Sequence, residues 1–264
     1  MTVRFAKMHG AGNDFVLIDD RDGTFPCGRE VLEALGARGT GIGCEGIILV
    51  RKSDRLDFRM KFFNPDGSEA EMCGNGARCV AAFAREIGAA KSDRMRFETL
   101  AGDVGAEIVA PGFVKVEMTQ PKDLRDNFVN SGVPHCIVPV DDLERADVEG
   151  EGRRIRYSAG FAPAGTNVDF VTYHAPDQAD IRTYERGVEA ESGACGTGAV
   201  AAALVGVAQH GLRFPVHVRT VKGYELVIGG EFDGRCFRSV TLTGPVARVF
   251  SGEIDIDSLD FRPE

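Results

Sequence analysis

The sequence lacks most of the features that assign a chain to a functional class at sight. No apolar run approaches the ~20 residues a membrane-spanning helix needs. The opening MTVRFAKMHGAGNDF has no basic-then-apolar signal order. Basic residues are in deficit, with 31 Lys and Arg against 40 Asp and Glu, and a net charge of −9 argues against a nucleic-acid partner. None of the seven cysteines stands in a CxxC pair, so neither a zinc knuckle nor a thioredoxin-like redox motif is supported. An odd cysteine count without a leader argues for reduced thiols in the cytoplasm. No glycine-rich stretch carries the Lys-Ser/Thr pair of a phosphate-binding P-loop. These absences leave a cytoplasmic globular protein with no membrane, metal or nucleic-acid partner expected.

What is present is a large core. At 264 residues and 43% hydrophobic content the chain has enough for two ordinary domains. Short alternating apolar runs separated by Gly, Asp and Pro predict strands near 3–8, 15–19, 47–50, 56–63, 95–99, 135–140, 168–173, 216–220, 225–228 and 239–242. Pro111-Gly112 between two β-like runs predicts a hairpin over 105–118. Helices are expected over 29–38, 76–87 and 198–210, with Gly88 and Gly211 as the stops of the last two. The polar stretch 141–154 reads as a loop.

The two alanine-rich helices share an unusual preface. One follows MCGNGARC (72–79), the other ACGTGAVAAA (194–203). Each half of the chain thus holds many strands and one helix introduced by Cys-Gly-x-Gly. This predicts an internal duplication with a boundary near Gln120–Pro121, giving domains 1–120, joined by the tail 247–264, and 121–246.

A helix N-terminus carries partial positive charge and N–H groups outside the helical ladder. A cysteine there has its thiolate favoured, and glycines let the backbone close on a ligand. A carboxylate fits the N–H groups of Gly74 and Asn75, or of Gly196 and Thr197. If both motifs serve one substrate, one thiolate removes an α-proton from one face and the other thiol returns a proton to the opposite face. That is a two-base racemase or epimerase, which needs no cofactor in principle. The remaining cysteines, Cys27, Cys44, Cys79, Cys136 and Cys236, read as small buried hydrophobes.

At this point FNPDGSEAEMCGNGARC (63–79) and RTYERGVEAESGACGTGA (182–199) resemble the two signature segments of the diaminopimelate epimerase family. KMHGAGNDFVLID, GVPHCIVPVDD, GTNVDFV and TLTGPVARVFSGEI fit the same family in the same order, over nearly the whole chain. The resemblance implies cofactor-independent interconversion of L,L- and meso-diaminopimelate, in lysine and peptidoglycan precursor synthesis. It implies an α/β (α+β) fold of two pseudo-symmetric domains, each a curled mixed sheet around a central helix, with the site in the cleft between them. It also implies a homodimer.

By position, Cys73 and Cys195 are similar to the family's acid–base pair, with Cys73 serving the L,L isomer. Gly74, Asn75, Gly196 and Thr197 match the groups that hold the reacting carboxylate. Asn13, Asn64, Asn167 and Arg186 match substrate ligands, with Arg186 on the distal carboxylate and Glu185 on the distal ammonium. His135 and Glu185 match positions that support the thiols. A planar guanidinium suits a carboxylate, and asparagine supplies donor and acceptor without charge.

Two positions depart from the family pattern. Gly46 stands where some members have a substrate-binding Gln, and Val133 where several have Asn. Read from the residues alone, Asn13 and Asn64 also fit turns, His135 a core histidine, and Glu185–Arg186 a solvated pair. Proline-type racemases, a thiol redox sensor or a scaffold remain competing readings. Exchange of an amino-acid α-proton separates them.

Overall fold

The computed structural model describes residues 1–259 and divides into two compact units, Met1–Val116 with the segment from Pro245 onward, and Glu117–Gly244. In the first unit, Thr2–Gly10 and Asn13–Asp19 form an antiparallel hairpin whose two turn residues, Ala11 and Gly12, both have positive φ. Helix α1 (Arg29–Gly36) carries the chain to Gly46–Arg51, which lies parallel to Asn13–Asp19 and antiparallel to Phe58–Phe63. A two-residue strand, Glu69–Ala70, leads into helix α2 (Gly74–Glu86). The chain then returns through Arg94–Thr99, parallel to Phe58–Phe63, and on into Gly102–Ala110 and Phe113–Glu117.

The strands around α2 are buried on both faces. Val16, Ile18, Ile47 and Leu49 join Leu32 and Leu35 of α1 in one cluster. Phe15 and Ile48 point the opposite way, against Gly76 of α2. Such two-sided burial explains near-continuous apolar runs in parallel strands. Helix α2 is buried from Gly74 to Ala81 and again at Phe83 and Ala84. Its alanines and glycines are small enough for strands to surround it.

The second unit repeats these moves. Phe128–Asn130 pairs antiparallel with Pro134–Pro139. Helix α3 (Val148–Arg156) crosses to Asn167–His174, parallel to Pro134–Pro139 and antiparallel to Gln178–Glu185. The short strand Ala190–Ser192 leads into helix α4 (Gly196–Gln209), and Val216–Thr220 returns parallel to Gln178–Glu185 before pairing with Glu225–Phe232. Alternation again divides the faces. Val168, Phe170 and Tyr184 meet Val148 of α3, whereas Asp169 and Thr183 meet Gly198 of α4. Both central helices stop ahead of a positive-φ glycine, Gly88 and Gly211.

The mixed α/β fold agrees with the sequence reading, and most strands match or extend the expected ranges by a few residues; the exceptions are Phe58–Phe63, which starts later than expected, Pro134–Pro139, which is shifted by one residue, and Phe237–Asp255, which is far longer than 239–242. One expectation is overturned: 141–154 is not all loop, because α3 occupies Val148–Arg156. Gly150 and Gly152 depress helix propensity and disguise it. The helix is secured in other ways. The Asp147 carboxylate caps the Gly150 N–H at 2.9 Å. Glu149 and Glu151 lie in the first turn and three arginines in the last, complementing the helix dipole. Gly152 is required by packing, since a Cβ there would stand 2.6 Å from Tyr184 Cβ. The short strands Glu69–Ala70, Lys122–Arg125, Phe128–Asn130 and Ala190–Ser192 and the longer Gln178–Glu185 also lie outside the expected set.

Helix propensity alone predicts that Gly152→Ala stabilises the protein by ~1 kcal/mol. Packing against Tyr184 predicts the reverse, a loss of about 1–3 kcal/mol from overpacking. Asp147→Ala should cost about 1 kcal/mol through the lost cap. Urea unfolding midpoints of the two variants decide this, and a Gly152→Ala protein more stable than its parent would refute the close α3 packing.

Candidate active site

Each central helix begins at one of the two motif cysteines. Cys73 is the N-cap of α2 with an extended backbone (φ −130°, ψ 125°), and Ala77 N–H donates to its carbonyl at 2.7 Å. Cys195 is the N-cap of α4 (φ −99°, ψ 110°), with Ala199 N–H on its carbonyl at 3.0 Å. Both side chains are half-buried. Gly74 and Asn75, and Gly196 and Thr197, are therefore the first residues of the two helices, where anions are received.

In the first unit the helix start is pressed against a strand end. A Cβ on Gly10 would lie 2.8 Å from the Asn75 carbonyl oxygen. Gly10 pairs in register with Asn13, so Asn13 stands beside the start of α2. The Asn13 amide donates to Glu45, and its buried Oδ1 has no protein partner. Asn64 occupies a turn: its amide donates to Ser68 Oγ at 3.1 Å, and its carbonyl accepts from Gly67 N–H at 3.0 Å. The departure at Gly46 has a packing cause, because a Cβ there would lie 2.4 Å from the Phe62 ring. An aromatic ring fills the space a longer side chain would take.

Sequence reasoning passed over Arg78. Its guanidinium is fully buried one turn inside α2, donating to Asn75 Oδ1 at 2.7 Å and to the Gly74 carbonyl at 3.2 Å. Burial pulls it below the ordinary arginine value, opposed by its interaction with Cys79 and Cys73. An arginine inside an alanine-rich buried helix was the available signal.

In the second unit the predicted residues are linked. His135 and Asn167 are register partners on parallel strands. Asn167 Nδ2 donates to the Pro134 carbonyl at 3.0 Å, and its Oδ1 accepts from Arg186 N–H at 2.8 Å. Arg186 Nη1 also donates to the Ala164 carbonyl at 3.3 Å. Val133, where Asn was the family alternative, uses its carbonyl to accept from Ser131 N–H. His135 is wholly buried, with Nδ1 2.7 Å from Asp169 Oδ2 and Nε2 3.0 Å from Thr197 Oγ1. Thr197 Oγ1 lies 3.4 Å from Cys195 Sγ, which also accepts from Gly198 N–H at 3.4 Å. Asp169 and Thr183, joined at 2.7 Å, were not singled out from sequence. The signal was a lone carboxylate between Val168 and Phe170 in an apolar strand.

Burial pushes the Cys195 thiol well above its ordinary value. Glu185 and Asp169 push the same way, while the Thr197 hydroxyl and Gly198 N–H pull it back. The other thiols divide. Cys44 and Cys79 are buried, as expected, whereas Cys27 and Cys136 are half-buried and Cys236 is exposed. Cys236 sits in a tight turn closed by Asp233, whose carboxylate accepts the Cys236 N–H, so its apolar character finds no core there. Burial raises Cys79 to about 12 and Cys136 to about 11. Such thiols are poor nucleophiles and poor bases at neutral pH. Among the described residues no cluster of His, Cys, Asp and Glu is arranged to hold a metal ion, and no helix is long and apolar enough to cross a membrane.

The diaminopimelate epimerase family profile matches residues 5–124 and 127–249. The diaminopimelate epimerase of Aquifex aeolicus is 43% identical over 291 aligned positions, spanning 98% of this chain and 100% of that protein. Among solved structures, a PhzF-family phenazine biosynthesis protein from Bacillus anthracis superposes with a TM-score of 0.72 at 16% identity, covering 96% of this chain and 99% of the other. A probable proline racemase from Agrobacterium radiobacter K84 gives 0.71 at 17% identity, covering 98% and 94%. At such identities the structures establish a shared fold. Profile and full-length relative together establish more: this chain belongs to the diaminopimelate epimerase family.

Proposed function

We propose that this chain interconverts L,L- and meso-diaminopimelate by a two-thiol epimerisation that uses no cofactor, in lysine and peptidoglycan precursor synthesis. The observation that carries the reading is the repeated placement of a half-buried cysteine as N-cap of a helix buried along most of its length. Cys73 and Cys195 are the acid–base pair. One removes the α-proton and the other delivers a proton to the opposite face, and the two exchange roles when the reaction reverses. Negative charge moves onto the α-carboxylate as the proton leaves. The N–H groups at Gly74, Asn75, Gly196 and Thr197 are fixed in advance where that charge grows, so they favour the transition state over the ground state.

The distal end of the substrate is itself an amino acid. Arg186 takes its carboxylate and Glu185 its ammonium, with Asn13, Asn64 and Asn167 fixing orientation. The partnerless Oδ1 of Asn13 supports a ligand role. Asn167 has both amide ends engaged by backbone, so it positions Arg186 and offers a ligand only its second amide hydrogen. His135 and Glu185 support the thiols. The working form is a cytoplasmic homodimer, for which Val109, Phe113, Val249 and Phe250 of the first unit supply exposed apolar surface.

In D₂O, reduced protein without added cofactor should incorporate deuterium at one α-carbon of L,L-diaminopimelate as the meso isomer appears by NMR. Cys73→Ala and Cys195→Ala should each lower epimerisation by at least about 10²–10⁴-fold, the range for loss of a general acid or base. No exchange by the wild type would remove this substrate, and proline and hydroxyproline would then be assayed.

Arg186→Gln should raise KM by roughly 10- to 100-fold, as expected for a lost charged hydrogen bond, with a smaller change in kcat. Steady-state kinetics of that variant tests the distal-carboxylate role, and an unchanged KM would reject it.

A further inference from the structure

The geometry around Cys195 runs deeper than a thiol at a helix end. We propose that Asp169 and the Thr197 hydroxyl are positioning residues that orient a single-direction hydrogen-bond chain through His135, by which the Cys195 thiol gives up its proton. The inference rests on the epimerase reading for its substrate, but its geometry belongs to the second unit alone.

The direction of the chain follows from donor and acceptor counts. Both Asp169 oxygens are engaged: Oδ1 accepts from Thr183 Oγ1 at 2.7 Å, and Oδ2 lies 2.7 Å from His135 Nδ1. A carboxylate only accepts, so Nδ1 carries the ring hydrogen. In the neutral ring Nε2 is then an acceptor, and its partner at 3.0 Å is the Thr197 hydroxyl. Thr197 has one hydroxyl hydrogen and directs it at His135. Its oxygen is left to accept from Cys195 S–H, 3.4 Å away. With a neutral His135, each link leaves one choice for the next.

When the chain shifts, the Cys195 S–H bond breaks and its electron pair stays on sulfur. The Thr197 oxygen gains that proton as its own passes to His135 Nε2. The result is a thiolate, an unchanged threonine and an imidazolium held against the Asp169 carboxylate. No other reactant is needed. The reverse shift returns the proton to sulfur when Cys195 must act as the acid. Gly198 makes the arrangement sterically feasible, because a Cβ there would lie 2.5 Å from Asp169 Oδ1 and 3.2 Å from Thr183 Oγ1. The second glycine of the motif thus admits the carboxylate against the first turn of α4.

The chain also answers an electrostatic difficulty. Among the described residues, the charged and titratable groups around Cys195 include Glu185 and Asp169 on neighbouring strands, His135 through Thr197, and Lys222, whose side chain packs against Gly193 two residues before the cysteine. Both carboxylates oppose a thiolate directly, as does burial. Asp169 therefore acts on Cys195 in two opposed ways: its charge repels the thiolate through space, and its hydrogen bond to His135 prepares an acceptor for the proton. These two roles predict opposite consequences of removing the charge.

Thr197→Val deletes the hydroxyl while keeping the shape and the backbone N–H. It should lower kcat by about 10²-fold, the lower end for loss of a proton-transfer path, with KM within about twofold. Thr197→Ser should recover most of the rate. Site-resolved alkylation of Cys195 by iodoacetamide, read by peptide mass spectrometry, should rise at higher pH in Thr197→Val than in the wild type, since a group favouring the thiolate is gone. Asp169→Asn should also lower kcat. Wild-type kcat and an unshifted alkylation profile in Thr197→Val would overturn the chain. So would an Asp169→Asn protein with faster alkylation and undiminished kcat, for then only the charge would matter. The wild type is assayed alongside: no α-proton exchange there refutes the epimerase reading itself, while the alkylation profiles still decide the hydrogen-bond chain.

Discussion

The structure depends on one constraint: a helix buried around its whole circumference must begin inside the protein. The start of a helix is its most polar part, with N–H groups that its own ladder does not use. Burying that end without partners is costly. Both units accept this situation, with α2 buried from Gly74 and α4 buried at Gly196 and again from Gly198. The small residues of the two motifs follow from it. Gly10 and Gly76 let strand and helix close on each other in the first unit, and Gly198 does so in the second. A buried helix start of this kind suits an anion, which its N–H groups and dipole both favour.

The two halves meet the constraint with opposite charges. Behind the start of α2 lies a buried guanidinium, Arg78, tied to Asn75 and Gly74. Against the first turn of α4 lies a buried carboxylate, Asp169, tied to His135 and Thr183. The topology is duplicated, yet the electrostatic surroundings of the two cysteines are inverted. A positive charge behind Cys73 favours an anion there outright. A negative charge behind Cys195 opposes one, and the His135–Thr197 link lets the same carboxylate assist it indirectly. On the proposed two-thiol reading, each cysteine serves a different face of the substrate, and the two need not be prepared alike.

Much of this was legible in the sequence, and the exceptions have physical causes. MCGNGARC and ACGTGAV announced the two helix starts, and period-two patterning located most strands. Helix α3 escaped because two glycines mask it: Gly152 is there for Tyr184 and not for the backbone. The duplication could have supplied it, since α1 occupies the same step between two parallel strands in the first unit. Asp169 escaped because its partner is distant in sequence. Only the parallel pairing of Pro134–Pro139 with Asn167–His174 puts His135 within its reach. Cys236 was assigned by residue type, but a turn at the surface decides its exposure.

The buried polar atoms without protein partners sharpen the functional argument. Those identified among the described residues are Asn13 Oδ1, Arg78 Nε, Ser192 Oγ and Thr220 Oγ1. Asn13 and Arg78 both adjoin the start of α2, through Gly10 and Asn75 respectively. Ser192 ends the short strand that delivers Cys195. Each such atom costs stability, on the order of 1–3 kcal/mol, and native chains keep few of them. Three of the four lie beside the two cysteine motifs, which fits the ligand role proposed for those motifs. Thr220 Oγ1 has no such account.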